Sequence, residues 1–414
     1  MIFEPYKDEL EIINNIHKYN DSEYVVIRLT KTMIEKNNID ANALLRDLLK
    51  NNELVDFDLL EHGGINGKKF QAEFLFNNEL QKIKMNFYRV NNKRGDRRFS
   101  IYGIKKLFQQ GLINEGDLLY VSVNTQKPLP TITVMNITNN IPSNRILLQF
   151  FGDDRVNYSL SRLIPMIRNV AQKGYHPNSK GIGKISPKDA GDTLESLLGI
   201  QTNNSQEADF EGIIELKAKT GRTMDTLFTL RPQFDGTPVA EFEPNDRSRV
   251  SAFTRLYGYD SEKHVGYKSL YITIGSDMAL QNSLGFFLHV NEEERKIELR
   301  KQLNEKKDFL TAYWYFDDLE EELHKKHPAT LWVKAETRMI NEVGEFKYVE
   351  AELSRSPQFT TFLSLVKTGG ITYDWRGYTT PHGAYSGKNH GNAWRIKNKQ
   401  RSLLFGSMET INLQ

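Results

Sequence analysis

Residues 193–217 read TLESLLGIQTNNSQEADFEGIIELK, and three of the carboxylates, Glu195, Asp209 and Glu215, stand with a lysine around two apolar runs. The first run belongs to SPKDAGDTLESLLGI, 186–200, which has the grammar of a helix start. Ser186 reads as the cap, Pro187 as the first helical residue, and Asp189 as an acid at the positive end. Leu194, Leu197 and Leu198, with Ala190 one turn earlier, make an apolar face that Gly199 brings to an end. Glu195 lies one turn before Leu198, so it is expected at the edge of the interior. The second run, DFEGIIELKAK, 209–219, has the composition of a strand. Alternation puts Glu215, Lys217 and Lys219 on one face and Leu216 and Ala218 on the other. Asp209 precedes the strand, within reach of Glu215.

Two converging carboxylates beside an amine suit a hard divalent cation. Magnesium takes oxygen ligands and keeps waters for a phosphate. Such a cation makes its bound water a better nucleophile, and the lysine offsets growing negative charge. Asp209 and Glu215 are the expected metal ligands, and Glu195, Asp209, Glu215 and Lys217 the expected catalytic set. The competing reading is ordinary: an acid-x-Lys pair in an edge strand is common, and the bare spacing is weak. Against it, an acid at the interior margin is costly unless paired.

The 414 residues suit two or three domains, and 39% hydrophobic with 26% charged residues describes a soluble globular chain. No run of about 18 apolar residues offers a membrane span. The start, MIFEPYKDEL, lacks an apolar signal core, so a cytoplasmic protein is expected. The chain has no cysteine, which excludes disulfides, thiolate zinc sites and cysteine nucleophiles. No G-x-S-x-G occurs, and GIGKIS lacks the phosphate-loop spacing. A net charge of +2 decides nothing about partners. The basic residues cluster, however, in NNKRGDRR (91–98), KGYHPNSKGIGK (173–184) and WRIKNKQR (394–401). Each run, taken singly, reads equally as a solvated face.

The long stretch GIGKISPKDAGDTLESLLGIQTNNSQEADFEGIIELKAKTGRTMDTLFTLRPQF, 181–234, resembles the MvaI/BcnI family of restriction endonucleases and, more distantly, MutH-like nickases. In MutH-like nucleases a helix Glu, an Asp and a Glu-x-Lys pair build the site, and the resemblance places these at Glu195, Asp209, Glu215 and Lys217. It implies a PD-(D/E)XK nuclease fold, a Mg2+ cofactor, and hydrolysis leaving 5′-phosphate and 3′-hydroxyl ends. It also implies a monomer acting on double-stranded DNA at a CCNGG-like site, and a strand at LFTLRP, 227–232, continuing the catalytic sheet. The ending FLSLVKTGGITYDWRGYTTPHGAYSGKNHGNAWRIKNKQRSLLF, 362–405, is similar to the family's ending. There Asp374 can accept from cytosine N4 and Arg376 can fork onto guanine. His382, His390 and Arg395 are candidates for further base or phosphate contacts. With no cysteine or third histidine nearby, the two histidines do not suggest zinc.

Ahead of this lie strand-like runs at 23–31, 68–76, 83–90, 97–104, 116–123 and 131–138, with one or two helices, 41–50 among them. The expected division is a β-rich unit over 1–140, a linker over 141–157, and a nuclease domain over 158–414 that opens on a proline-bearing helix. The strand–basic turn–strand order resembles the DNA-binding effector pseudobarrel of EcoRII. Its pairing with an MvaI-like nuclease is similar to UbaLAI-type enzymes. By that resemblance Arg28 and Lys31 lie on one arm and Arg94, Arg97 and Arg98 on a second, holding another copy of the site in the manner of a type IIE enzyme. The overall expectation is a mixed α/β and α+β chain. A strand nickase, and a DNA-binding regulator with an inert nuclease domain, stand as the alternatives.

Overall fold

The computed structural model describes residues 5–20, 22–124, 130–152, 154–200, 207–221, 224–278, 280–304, 307–406 and 408–413. The fold is mixed α/β and divides into two compact units. The first comprises the chain up to Arg168 together with two returns, Glu352–Thr360 and Phe405–Asn412; the second holds the remainder.

The first unit is built on a seven-stranded sheet. Its strands are β1 (Tyr24–Arg28), β2 (Ile39–Asp40), β3 (Lys68–Phe76), β4 (Glu79–Arg89), β5 (Arg97–Ile101), β6 (Leu118–Asn124) and β7 (Thr131–Asn136). They lie in the order β1-β6-β7-β3-β4-β5-β2. Every pairing is antiparallel except β3 with β7. The sheet is covered on both faces, and alternation sorts its side chains: Leu119, Val121 and Val123 of β6 enter one apolar cluster, Leu118 and Tyr120 the other. A two-residue turn joins β3 to β4, with Asn77 at φ 47°, a conformation asparagine tolerates. Among the described residues, 1–140 carry four α-helices, Lys7–Ile16, Lys31–Lys36, Ala43–Asn51 and Ile104–Gln109, where one or two were expected. Two of them are six residues long, too short to show a helical period. Lys31 therefore opens a helix and does not extend the strand, which stops at Arg28. The first return is tied in by side chains. Gln358 Oε1 accepts from the Tyr24 amide at 2.7 Å, and Arg355 pairs with Asp154 at 3.0 Å.

In the second unit one sheet contains β8 (His176–Ile182), β9 (Ile214–Lys219), β16 (Ala329–Ile340) and β17 (Val343–Arg355), the last four residues of β17 counting with the first unit. β9 runs parallel to β16, with Ala329 opposite Ile214 and Thr330 opposite Glu215. A second sheet is ordered β10 (Asp225–Phe228), β20 (Ala393–Ile396), β18 (Ile371–Thr379), β12 (Lys268–Ile274), β11 (Tyr259–Asp260), with β19 (Gly387–Asn389) added to β18. A third joins β13 (Phe286–Asn291), β14 (Lys296–Asn304) and β15 (Lys307–Tyr315). The 227–232 stretch thus does not continue the catalytic sheet: β10 pairs antiparallel with β20, while β9 pairs only with β16 among the described strands. An aromatic core of Trp314, Tyr373, Trp375 and Trp394 backs the second sheet. No described helix is long and apolar enough to cross a membrane.

Candidate active site

The opening stretch folds as a helix, a loop and a strand, with two departures from expectation. The helix is Asp189–Leu197 and so begins two residues after Pro187. No side chain caps this helix start, that of Ser186 included; the Asp189 carboxylate instead turns back to accept from the Ser186 amide at 2.9 Å and from Asn178 at 2.9 Å. Leu197 is exposed, and Thr193 takes its place beside Ala190, Leu194 and Leu198 on the buried face. The helix ends as expected. Gly199 sits at φ 72°, its amide donates to Ser196 O, and the Ile200 amide donates to Glu195 O, the two bonds of a Schellman close. Residues 201–206 lie outside the described residues.

Asp209 stands just before β9 and is 20% exposed. Its Oδ2 accepts from the Leu216 amide at 2.9 Å, which fixes the carboxylate beside the strand. Glu215 is 1% exposed. Lys217, two residues on and therefore on the same face, donates to Glu215 Oε1. Glu215 Oε2 is buried and, among the described residues, meets no hydrogen-bond donor in good geometry. The ammonium of Lys326 faces it as an ion pair at 2.9 Å, and stands 3.8 Å from Asp209 Oδ1.

The electrostatics follow from crowding acids in a dry place. Burial, and then the charge of Glu215, hold the Asp209 carboxyl above its ordinary range. Burial, and then the charge of Asp209, do the same to the half-buried Glu195, which also feels Glu215 and Lys217. Burial pulls the Lys217 ammonium down, but the charge and hydrogen bond of Glu215 outweigh it and raise its pKa. Lys219, next on the same face, pairs with Asp225 and is lowered by burial.

Among the described residues no three His, Asp or Glu side chains converge as a metal cage. Two carboxylates whose oxygens meet lysine ammoniums and one backbone amide are a donor set that suits a hard cation retaining water, as magnesium does.

Sequence reasoning missed Lys326 and His327. Lys326 ends the helix Phe316–Lys326, in a charge run that reads as solvated surface. Only the parallel pairing of β9 with β16 brings it to the carboxylates, and no local pattern signals that. His327 is fully buried, its ring nitrogens 2.9 Å from Leu227 O and 2.7 Å from Thr330 Oγ1. Burial first, then Lys217, push its pKa down to about 3, so it is a neutral strut.

The C-terminal candidates fall on the second sheet. β18 buries Tyr373 and Trp375 on one face and turns Asp374 and Arg376 to the other. Asp374 is 2% exposed. Its Oδ2 accepts from Arg376 and, at 2.8 Å, from Arg395 of β20; its Oδ1 accepts from Thr273 at 2.7 Å. Arg376, 46% exposed, lines a cleft of about 970 Å³ with His390, Tyr271, Tyr259, Lys188 and Lys263. Asp374, Arg376, Arg395 and His390 are thus brought together. His382 is exposed in the loop between β18 and β19 and is not among the cleft's lining residues.

In the first unit Arg28 is committed to Glu9, at 2.6 and 3.0 Å, and to Gly116 O. Arg97 pairs with Asp58, and Arg98 with Asp40 at 3.1 Å. Lys31 is exposed, 4.0 Å from Glu35. Arg94 is exposed at the tip of the β4–β5 hairpin.

A family model described as the MvaI/BcnI restriction endonuclease family matches residues 164–405. Among solved structures the chain is similar to the restriction endonuclease MvaI–cognate DNA substrate complex: 24% identity, 62% of this chain and 98% of that one, TM-score 0.49. For MvaI in the absence of DNA the values are 24%, 61%, 97% and 0.37. An Arabidopsis FUS3–DNA complex is 11% identical over 28% of this chain and 96% of its own, with TM-score 0.20. No curated protein matches.

Proposed function

This chain belongs to the MvaI/BcnI restriction endonuclease family, and from that premise we propose that it hydrolyses double-stranded DNA at a specific sequence with a divalent cation, Mg2+, at Asp209 and Glu215. The observation that carries the reading is the convergence of Asp209, buried Glu215 and Lys217 at one strand end, with Glu195 close enough to feel all three. When bound, the ion supplies positive charge against the scissile phosphate and acidifies a water. Asp209 and Glu215 hold that ion. Lys217, held beside Glu215, would offset negative charge developing at the phosphate. Glu195, protonated more readily than an ordinary glutamate, orients water at the edge of the site.

Arg376 and Arg395 present guanidinium forks to guanine edges and phosphates of a CCNGG-like target, with His390 and His382 adding contacts. The division into an effector over 1–140, a linker over 141–157 and a nuclease over 158–414 is part of the proposal. The effector takes a second copy of the site through the hairpin bearing Arg94, Arg97 and Arg98, with Arg28 and Lys31 on the facing arm. That makes the chain a cytoplasmic, monomeric, type IIE-like enzyme that cuts the two strands in turn. Incubating the full chain with supercoiled plasmid and Mg2+ tests the reading. Linear product at a fixed sequence supports it, open circles alone make the chain a nickase, and unaltered plasmid makes it a DNA-binding regulator.

A further inference from the structure

Each oxygen of the two metal-binding carboxylates has an assigned neighbour. Lys217 takes Glu215 Oε1, and the Leu216 amide takes Asp209 Oδ2. The oxygens left to face a cation are Glu215 Oε2 and Asp209 Oδ1, and both look at the same atom, Lys326 Nζ, at 2.9 and 3.8 Å. We propose that Lys326 is an internal counter-ion that occupies the metal position and must be displaced before a divalent cation can enter. This rests on the metal-site reading of Asp209 and Glu215.

Two cations cannot share those oxygens. At 3–4 Å their repulsion is large even in a medium of effective dielectric constant about 20. The backbone at Lys326 does not move with the exchange. The next residue, His327, is fully buried and held at both ring nitrogens, by Leu227 O and Thr330 Oγ1. The mobile part is the four-carbon side chain, 18% exposed, which can swing toward water while its Cα stays fixed. The ammonium also donates to Glu207 O at 3.2 Å, a second hold to be released. Lys217 has a different place in this arrangement. It pairs with Glu215 Oε1, not with the Oε2 that Lys326 faces, so exchange at Oε2 leaves its hydrogen bond in place. The consequence is a site kept neutralised without metal, whose affinity for metal is set by competition with its own lysine.

The experiment measures Mn2+ binding to the full chain by electron paramagnetic resonance, without DNA, and the thermal midpoint of the metal-free protein. Lys326→Met is expected to bind Mn2+ about tenfold or more tightly than wild type and to lower the metal-free midpoint. Saturating Mn2+ should restore that midpoint. Lys326→Arg keeps the charge and should leave Mn2+ affinity near wild type. Equal or weaker Mn2+ binding by Lys326→Met, in a protein whose wild type binds Mn2+ through Asp209, overturns the proposal. If the wild type shows no Mn2+ binding that Asp209→Asn abolishes, the metal-site reading itself falls, and the proposal with it.

Discussion

Asp374 decides how the C-terminal sheet reads DNA. Read from the sequence it is an acceptor for cytosine N4, but in the structure it is buried and takes three donors, from Arg376, Arg395 and Thr273. A carboxylate offers about four acceptor positions, so little capacity is left for a base. Its action is then expected to pass through Arg376, which is half exposed in the cleft. The perturbations are Asp374→Asn, Arg376→Ala and the double variant. A bidentate guanine contact is worth about 1–3 kcal/mol, so Arg376→Ala should lose that much specific binding. Asp374→Asn removes the charge that aims the guanidinium and should lose a similar amount. If the two act as one unit, the double variant loses no more than Arg376→Ala alone, a coupling of roughly 1–3 kcal/mol. Asp374→Asn also breaks a buried pair, which typically costs about 3–5 kcal/mol of stability. The exposed half of Arg376 rehydrates and reduces that figure to about 2 kcal/mol. The assay is a binding titration in Ca2+ at fixed salt, with cognate and scrambled duplexes, alongside urea unfolding. Additive losses in the double variant would show that Asp374 acts other than through Arg376, and would refute the aiming role.

Asp209 and Glu195 both have pKa values raised by burial. A raised carboxylate pKa stabilises the fold at acid pH, and that stability is lost as pH rises through the folded value. The contribution of these two groups in the metal-free protein should therefore fall as pH rises above the ordinary carboxylate range, and Asp209→Asn should remove part of that fall in a Tm series. For the same reason the acid limb of the cleavage rate should lie above the usual carboxylate range of about 3.9–4.3. Two-site plasmids, or added short target duplex, should be cut several-fold faster than one-site plasmids, from a coupling of about 1–3 kcal/mol. Arg94→Ala with Arg97→Ala should abolish the stimulation, whereas equal single-turnover rates on both plasmids would retire the effector role.

The parts of the fold readable from sequence are those set by local pattern. β3, β4, β6 and β7 announce themselves by apolar alternation, and Gly199 marks its helix end. The Asp209, Glu215 and Lys217 cluster is readable for the same reason, because one strand and the residue before it carry all three. Lys326 is not, since a pairing across more than a hundred residues delivers it. The helix start is not legible because the Asp189 carboxylate is taken up by Ser186 and Asn178, a tertiary choice that cap statistics do not encode. The ion pair of Arg28 with Glu9 is not legible either, because the partner sits on a separate element, the first helix. β10 left the catalytic sheet because its partner, β20, comes from the far end of the chain.

The most direct test of the central claim is a single-turnover digestion of a duplex bearing the mapped target, comparing wild type with Asp209→Ala, Glu215→Ala and Lys217→Ala at equal occupancy measured in Ca2+. The expected result is Mg2+-dependent cleavage of both strands by wild type. Each variant should lose about 10³-fold or more in rate while specific binding stays within a factor of about three, since none of the three faces a groove. Cleavage near the wild-type rate by Asp209→Ala or Glu215→Ala, or equal cutting in EDTA, would contradict the assignment of this cluster as the active site.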